Sequence, residues 1–154
     1  MSDLYHTDLV LWSARQAAAL RSATRERHNL PVDWENVAEE IESLGASERR
    51  ALTSHLRTVV EHLMKLEASP AADPRNGWIA TALHARDDID DVLRTSPSLR
   101  REVAEIIERQ VIRARRMVRL ELARLGEAVR VDLDTLTYAE KQVLGDWLPE
   151  TTES

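Results

Sequence analysis

The sequence predicts an all-α protein, folded as a single-domain bundle of five to six helices. Three observations predict it. Leu, Ala, Glu and Arg supply much of the chain, and these residues favour helix over strand. Four Gly and five Pro in 154 residues leave few places for tight turns. Apolar residues recur at helical spacing, and a charged fraction of 31% suits long helices with solvated outer faces. A chain of this length lies within the size of one domain and buries roughly 68–70% of the surface that its unfolded form exposes. It holds no internal repeat, low-complexity tract or Gly/Ser-rich linker. One domain over residues 1–154 is therefore expected, with an ordered core over about residues 4–148 and a frayed end.

Thr7 is placed as the N-cap of a first helix running to about residue 25, with Asp8 near the positive end of its dipole. Leu9, Trp12, Gln16, Ala19, Leu20 and Ala23 then share its inner face. Pro31 blocks continuation, and Asp33 caps a second helix over residues 34–44 that turns Trp34, Val37, Ile41 and Leu44 inward. Gly45 closes or bends it. Ser47 caps a third helix to about residue 67, where Leu52, Leu56, Val59, Leu63 and Leu66 form a seam for another helix.

Pro70, Asp73, Pro74, Asn76 and Gly77 mark a loop. A fourth helix follows over about residues 78–93, with Ile79, Ala82, Ile89 and Leu93 inward. Ser96 and Pro97 start a fifth helix that reaches about residue 125, just before Gly126. Residues 129–136 read as extended, and Thr137 with Glu140 has the spacing of a capping box for a last helix over 138–144. Trp147 and Leu148 tuck back onto the body. Helices three, four and five are expected to pack antiparallel, with the first two crossing their end.

Cysteine is absent, so no disulfide framework or thiolate metal site is available, and the first residues lack the regions of a signal peptide. A cytoplasmic location is expected. No apolar run approaches the roughly 20 residues needed to cross a bilayer, so no membrane partner is expected. The net charge of −6 gives no general attraction for a phosphate backbone. Arg109, Arg113, Arg115, Arg116, Arg119 and Arg124 nevertheless concentrate positive charge on one segment, which leaves nucleic acid open as a partner. That row is read as a solvated face balanced by Glu102, Glu105 and Glu108, with docking of an acidic partner as its alternative.

Two charges fall where apolar residues belong. Arg86 projects into the arc of Ile79, Ala82, Ile89 and Leu93, and Glu121 into the arc of Val103, Ile107, Ala114, Met117, Val118 and Leu125. A buried ion must be paired and hydrogen-bonded, so Arg86 is expected to reach a carboxylate, with Glu121 or Glu40 as partner. Such a pair sets helix register. Were a cleft present, Arg86 would instead bind a carboxylate or phosphate bidentately, with Glu40, Trp34 and Trp78 nearby. Trp12, Trp34, Trp78 and Trp147 each lie at an apolar face and are read as core.

The run Asp33-Trp34-Glu35-Asn36-Val37-Ala38-Glu39-Glu40-Ile41-Glu42-Ser43-Leu44-Gly45 is followed by Ser47-Glu48-Arg49-Arg50-Ala51-Leu52. With Leu4-Tyr5, Thr7-Asp8, His62-Leu63-Met64-Lys65, Trp78, Arg86, Ser96-Pro97-Ser98-Leu99 and Tyr138, it resembles the signature of a bacterial family, domain of unknown function 29, over nearly the whole chain. The resemblance implies an all-helical protein and brings no settled activity. It also implies an arginine at the position of Arg86 and an acid matching Glu121.

His55 and His62 border the seam of the third helix, seven residues and roughly 10 Å apart along the axis, too far to share one metal ion. Glu35, Glu39 and Glu42 share one side of the second helix and are read as solvated. No metal or cofactor is expected. Arg50 to His55 and Arg57 to His62 each place Arg and His five apart, and the second resembles the Arg-x-x-x-x-His motif of the higher-eukaryote and prokaryote nucleotide-binding domains, helical bundles that often cut RNA. That resemblance implies His62 as general acid or base and Arg57 as stabiliser of the pentavalent phosphate, without metal. On one helix the two project to opposite flanks of the seam, which reduces the match to a chance one unless a dimer reunites them.

No Rossmann, phosphate-loop, nucleophile-elbow or zinc motif occurs. The expected function is a non-enzymatic helical module that binds another macromolecule, an unknown protein or a second copy in a homodimer. A metal-independent RNA-cleaving bundle and a small-anion site around Arg86 are the alternatives.

Overall fold

The computed structural model describes residues 3–26 and 31–150. Among them six α-helices occur: α1 Leu4–Thr7, α2 Leu9–Arg25, α3 Trp34–Ala68, α4 Arg75–Thr95, α5 Val103–Arg124 and α6 Glu140–Leu144. Two 3-10 segments, Pro97–Glu102 and Leu133–Thr135, join them, and no strand is present among the described residues. The chain divides into two units. The first holds the residues up to Leu52 with Asp91–Arg101, and the second holds Thr53–Asp90 with the residues from Glu102 onward. The chain passes from one to the other inside α3, inside α4 and at the end of the first 3-10 segment. No described helix is long and apolar enough to cross a membrane.

In the first unit Asp8, not Thr7, caps α2. Its extended backbone lets the carboxylate accept the Leu11 amide at 2.9 Å, while Thr7 ends α1 and turns its hydroxyl back to the Asp3 carbonyl. The buried face of α2 is Val10, Ser13 and Ala17, rotated from the face predicted through Trp12, Gln16 and Ala19. The cause is Gly45. A Cβ at that position would meet Ser13 Oγ at 2.7 Å and Val10 at 3.8 Å, so the helices touch where both are small. Gly45 does not end a helix: α3 runs unbroken through it for 35 residues, joining the predicted second and third helices. Glycine there costs about 1 kcal/mol against alanine in helix propensity, offset by the close approach it permits. The same rotation leaves Val37 and Leu44 exposed and buries Ala38. Arg21 ties α2 to α3 through Glu42 and, at 3.3 Å, Glu35.

In the second unit the seam of α3 is buried as predicted, with Leu56, Val59, Leu63 and Leu66 inaccessible and Val60 and Met64 beside them. From α4 come Ala82, Ala85 and Ile89, and from α5 Ile106, Ile107, Val111, Ala114, Val118 and Leu122. Of the predicted α5 arc, Val103, Ile107, Ala114 and Val118 are buried, while Met117 at its flank and Leu125 past its end are exposed. Gly126, at φ 71°, closes α5 with a Schellman motif: its amide reaches the Ala123 carbonyl and that of Glu127 the Leu122 carbonyl. The stretch predicted as extended contains the 3-10 turn at residues 133–135. α6 starts two residues later than predicted, with the Gln142 side chain accepting the Ala139 amide and Thr137 outside the cap.

Candidate functional site

Arg86 lies on α4 between Ala82 and Ile89 and is only 6% exposed. Its Nε donates to the Val143 carbonyl at 2.9 Å, and its Nη2 donates to the Gln142 carbonyl at 2.8 Å and the Trp147 carbonyl at 2.6 Å. The predicted carboxylate partner is thus replaced by backbone oxygens. Gln142 and Val143 are in the last turn of α6, where carbonyls lack intrahelical donors and the helix carries partial negative charge. They neutralise the guanidinium without the desolvation of a second ion. Burial pulls the Arg86 pKa below its ordinary value, and the charge of Asp146 opposes this. Nη1 is buried with no hydrogen-bond partner. Glu40, the other predicted partner, is exposed on α3 in the first unit, and Trp34 there is half-buried.

Glu121 pairs with Lys65 at 2.8 Å and is itself half exposed. Lys65 is buried, with Nζ 5.9 Å from the centre of the Trp78 ring. Two of the predicted cluster, Glu121 and Trp78, therefore meet around a lysine that the sequence analysis passed over. Its signal was present: Lys65 falls inside the apolar run Leu63-Met64-Lys65-Leu66. Further buried polar groups follow the same economy. The Tyr138 hydroxyl donates to Glu67, and burial, then that hydrogen bond and the charge behind it, push its pKa far above the ordinary phenol range. Ser69 donates to Glu127 at 2.6 Å. Arg75 donates to the Leu66 carbonyl at 2.9 Å and Arg115 to the Leu136 carbonyl at 2.8 Å, so arginine to backbone oxygen is the recurring solution.

His62 is half-buried, and its Nδ1 lies 2.7 Å from the Thr58 carbonyl one turn earlier, which makes Nδ1 the protonated nitrogen. Burial lowers its pKa below the ordinary imidazole value, with the Thr58 contact opposing. Arg57 Nε donates at 3.0 Å to Gln110, a buried amide on α5. The two predicted catalytic side chains thus hold separate partners, and five residues on a helix set them roughly 140° apart. Among the described residues no group of three or more His, Asp or Glu gathers as a metal site. Glu35 and Glu42 pair with Arg21 instead.

Two cavities, of about 450 and 340 Å³, open beside α5 in the second unit and share Ile107, Glu108 and Tyr138. The larger is also lined by Ile112 and Arg115. Beyond it the outer face of α5 exposes Ile112 (67%) and Leu120, with Met117 at its flank, among the exposed Arg109, Arg113, Arg116, Arg119 and Arg124. In the first unit a cavity of about 410 Å³ is lined by Tyr5, His6, Trp12 and Arg15.

No curated protein matches the sequence at a significant level. The structure is similar to the crystal structure of an α-helical protein of unknown function from Rhodospirillum rubrum, with a TM-score of 0.73 and 26% identity over 95% of this chain and 92% of that one. The sequence matches the family described as Domain of unknown function DUF29 over residues 4–147. That match takes in α1 to α6, with the buried Asp8, Lys65 and Arg86, and on it the chain belongs to the domain of unknown function 29 family.

Proposed function

We propose that this chain is a non-enzymatic helical interaction module whose docking surface is the outer face of α5, and that the occupant is a second copy of the chain. One observation carries the reading: two large apolar side chains, Ile112 and Leu120, stand exposed on that face with Met117 at its flank, interleaved with five arginines. Interface cores are enriched in Met, Arg and large apolar residues, whereas a merely solvated face holds its apolar residues singly. Ile112 leads from this face into the 450 Å³ cavity beside Tyr138, which offers room for an incoming side chain.

Charge selects the occupant. A cationic face attracts an acidic one, and the chain carries such a face itself on α4, where Asp87, Asp88 and Asp90 are exposed beside the exposed Leu83. In a two-fold dimer the α5 face of each copy meets the α4 face of the other, so every favourable pair occurs twice. The RNA-cleaving alternative has less support, because His62 gives one nitrogen to Thr58 and Arg57 gives its Nε to Gln110. The anion site around Arg86 has less as well, because two of its nitrogens already serve three carbonyls.

Sedimentation equilibrium tests the proposal. The wild type is expected to dimerise with increasing concentration, and added salt is expected to weaken the dimer. Arg116→Glu and Leu120→Glu are each expected to yield monomers, and Asp87→Arg is expected to restore the dimer when added to Arg116→Glu. A wild type that stays monomeric at every concentration and salt level overturns it.

A further inference from the structure

We propose that the N-terminal half of α3, in the first unit, is a docking seam for a basic amphipathic helix of another protein. This inference is independent of the dimer contact through α4 and α5. Trp34, Val37, Ile41 and Leu44 follow one another at spacings of three, four and three, the period with which one helix meets another. α2 does not take up this seam. The fully buried positions of this half of α3 are Ala38, Gly45 and Leu52, seven apart, and Arg21 of α2 reaches Glu35 and Glu42 on the far side of that line. Val37 and Leu44 each lie one residue before the covered line, about 100° around the helix. They are 39% and 43% exposed, with Ile41 half-buried between them. Single apolar side chains on a surface are ordinary, but a row at i, i+4 and i+7 has the pattern of a covered face.

Charge names the occupant. From Asp33 to Glu48 the chain carries six carboxylates and no lysine or arginine. Asp33 and Glu40 stand exposed along the outer border of the apolar row, the side away from α2, and such a border selects Lys and Arg on an incoming helix. A second copy of α3 is the wrong partner, since any alignment of the two seams sets acids against acids. An anionic lipid surface is repelled for the same reason.

The seam is formed before a partner arrives. It belongs to a continuous helix of 35 residues, anchored here by Gly45 against Ser13 and Val10. The ordering cost of docking therefore falls on the incoming segment alone. From Trp34 to Leu44 the row spans about 15 Å, or three turns, so a short helix covers it.

The experiment titrates the whole chain into a labelled, helix-stapled peptide of about 14 residues, with Leu at the a and d positions of a heptad and Arg at e and g, and follows fluorescence anisotropy. A second peptide carries Glu in place of Arg. The basic peptide is expected to bind saturably, and the acidic one about tenfold more weakly or worse. Leu44→Ser and Glu40→Lys should each weaken the basic peptide about tenfold. Glu39→Lys makes the same change of net charge on the opposite side of the helix and should leave binding as in the wild type. Leu44, Glu40 and Glu39 are exposed, so these variants should keep the wild-type circular dichroism and melting curve. Amide NMR shifts with the basic peptide are expected within residues 34–48. The proposal is overturned by the absence of saturable binding, by equal binding of the two peptides, or by shifts confined to the acidic face of α4. It is equally overturned by equal losses in Glu40→Lys and Glu39→Lys, which mark a general charge effect. Loss of a wild-type dimer in Leu44→Ser makes a second copy the occupant and overturns it as well.

Discussion

Asp8 in the first unit and Arg86 in the second are both buried ions, 8% and 6% exposed, and neither has an oppositely charged side chain as hydrogen-bond partner. Each is neutralised by helix ends of the matching polarity. Asp8 accepts the Leu11 amide in the first turn of α2, and at 2.7 and 2.9 Å the amide and hydroxyl of Ser98 at the start of the 3-10 segment leading into α5. Arg86 gives its protons to the last carbonyls of α6 and to Trp147. Positive helix starts hold the anion, and a negative helix end holds the cation. The difference lies in completeness. Asp8 joins the start of a 17-residue helix to a 3-10 segment, whereas Arg86 holds a five-residue helix and the chain after it, and leaves Nη1 unpaired. A long helix keeps its shape without its cap. A single turn of helix does not persist without tertiary support.

The largest effect is therefore expected at Arg86. Arg86→Ala removes the donor of three carbonyls, two of them in a short helix, and should cost about 3–5 kcal/mol by urea denaturation, with early proteolysis within residues 140–150. If the loss is under about 1 kcal/mol, the α6 segment is held by the packing of Val143 and Tyr138 alone. Asp8→Ala should cost less, about 2–3 kcal/mol, because water reaches the freed amides of helix starts more readily. A larger loss at Asp8 than at Arg86 reverses the ranking and with it the argument from completeness.

A smaller effect sharpens the contrast inside the first unit, where backbone approach decides the packing. Gly45→Ala should cost about 1–2 kcal/mol despite its better helix propensity, since the new methyl meets Ser13 Oγ. Ser13→Ala should recover part of that loss in the double variant, and additive costs in the cycle rule out the contact as the cause. The smallest effect is expected in acid, in the second unit. His62 binds its proton more tightly in the unfolded chain than in the folded one, because burial lowers the folded pKa. Stability present above pH of about 6.5 is therefore lost progressively below it. His62→Gln should flatten that acid slope in urea midpoints measured between about pH 6.5 and 5, and an unchanged slope removes His62 as its source.

Much of the fold was legible in local signals. The α3 seam, the stop at Gly126 and the inward projection of Arg86 follow from residue type and period, which the chain carries without reference to its partners. Other signals were legible and misleading. Asp33, Gly45 and Ser47 read as cap, stop and cap, yet α3 passes through the last two because Gly45 answers to Ser13. On α5 the predicted arc held at Val103, Ile107, Ala114 and Val118 but not at Met117 and Leu125. Lys65 was hidden by the leucines around it, and its pairing with Glu121 depends on a residue 56 positions away. The edge-to-face contacts of Tyr5 with His6 and Trp12 arise from a turn of four residues and a cap shifted by one, too short for any periodic signal.

The residues alone determined that this chain is helical, which stretches are apolar enough to be buried and that a cation on α4 points inward, since propensity and period are properties of neighbours along the chain. Tertiary structure decided which face of α2 is covered, whether Gly45 ends a helix or admits one, and what satisfies Arg86. Those choices rest on distances between residues far apart in sequence, and on backbone carbonyls. Every residue type carries a carbonyl, so composition and spacing do not reveal which one becomes a counter-charge.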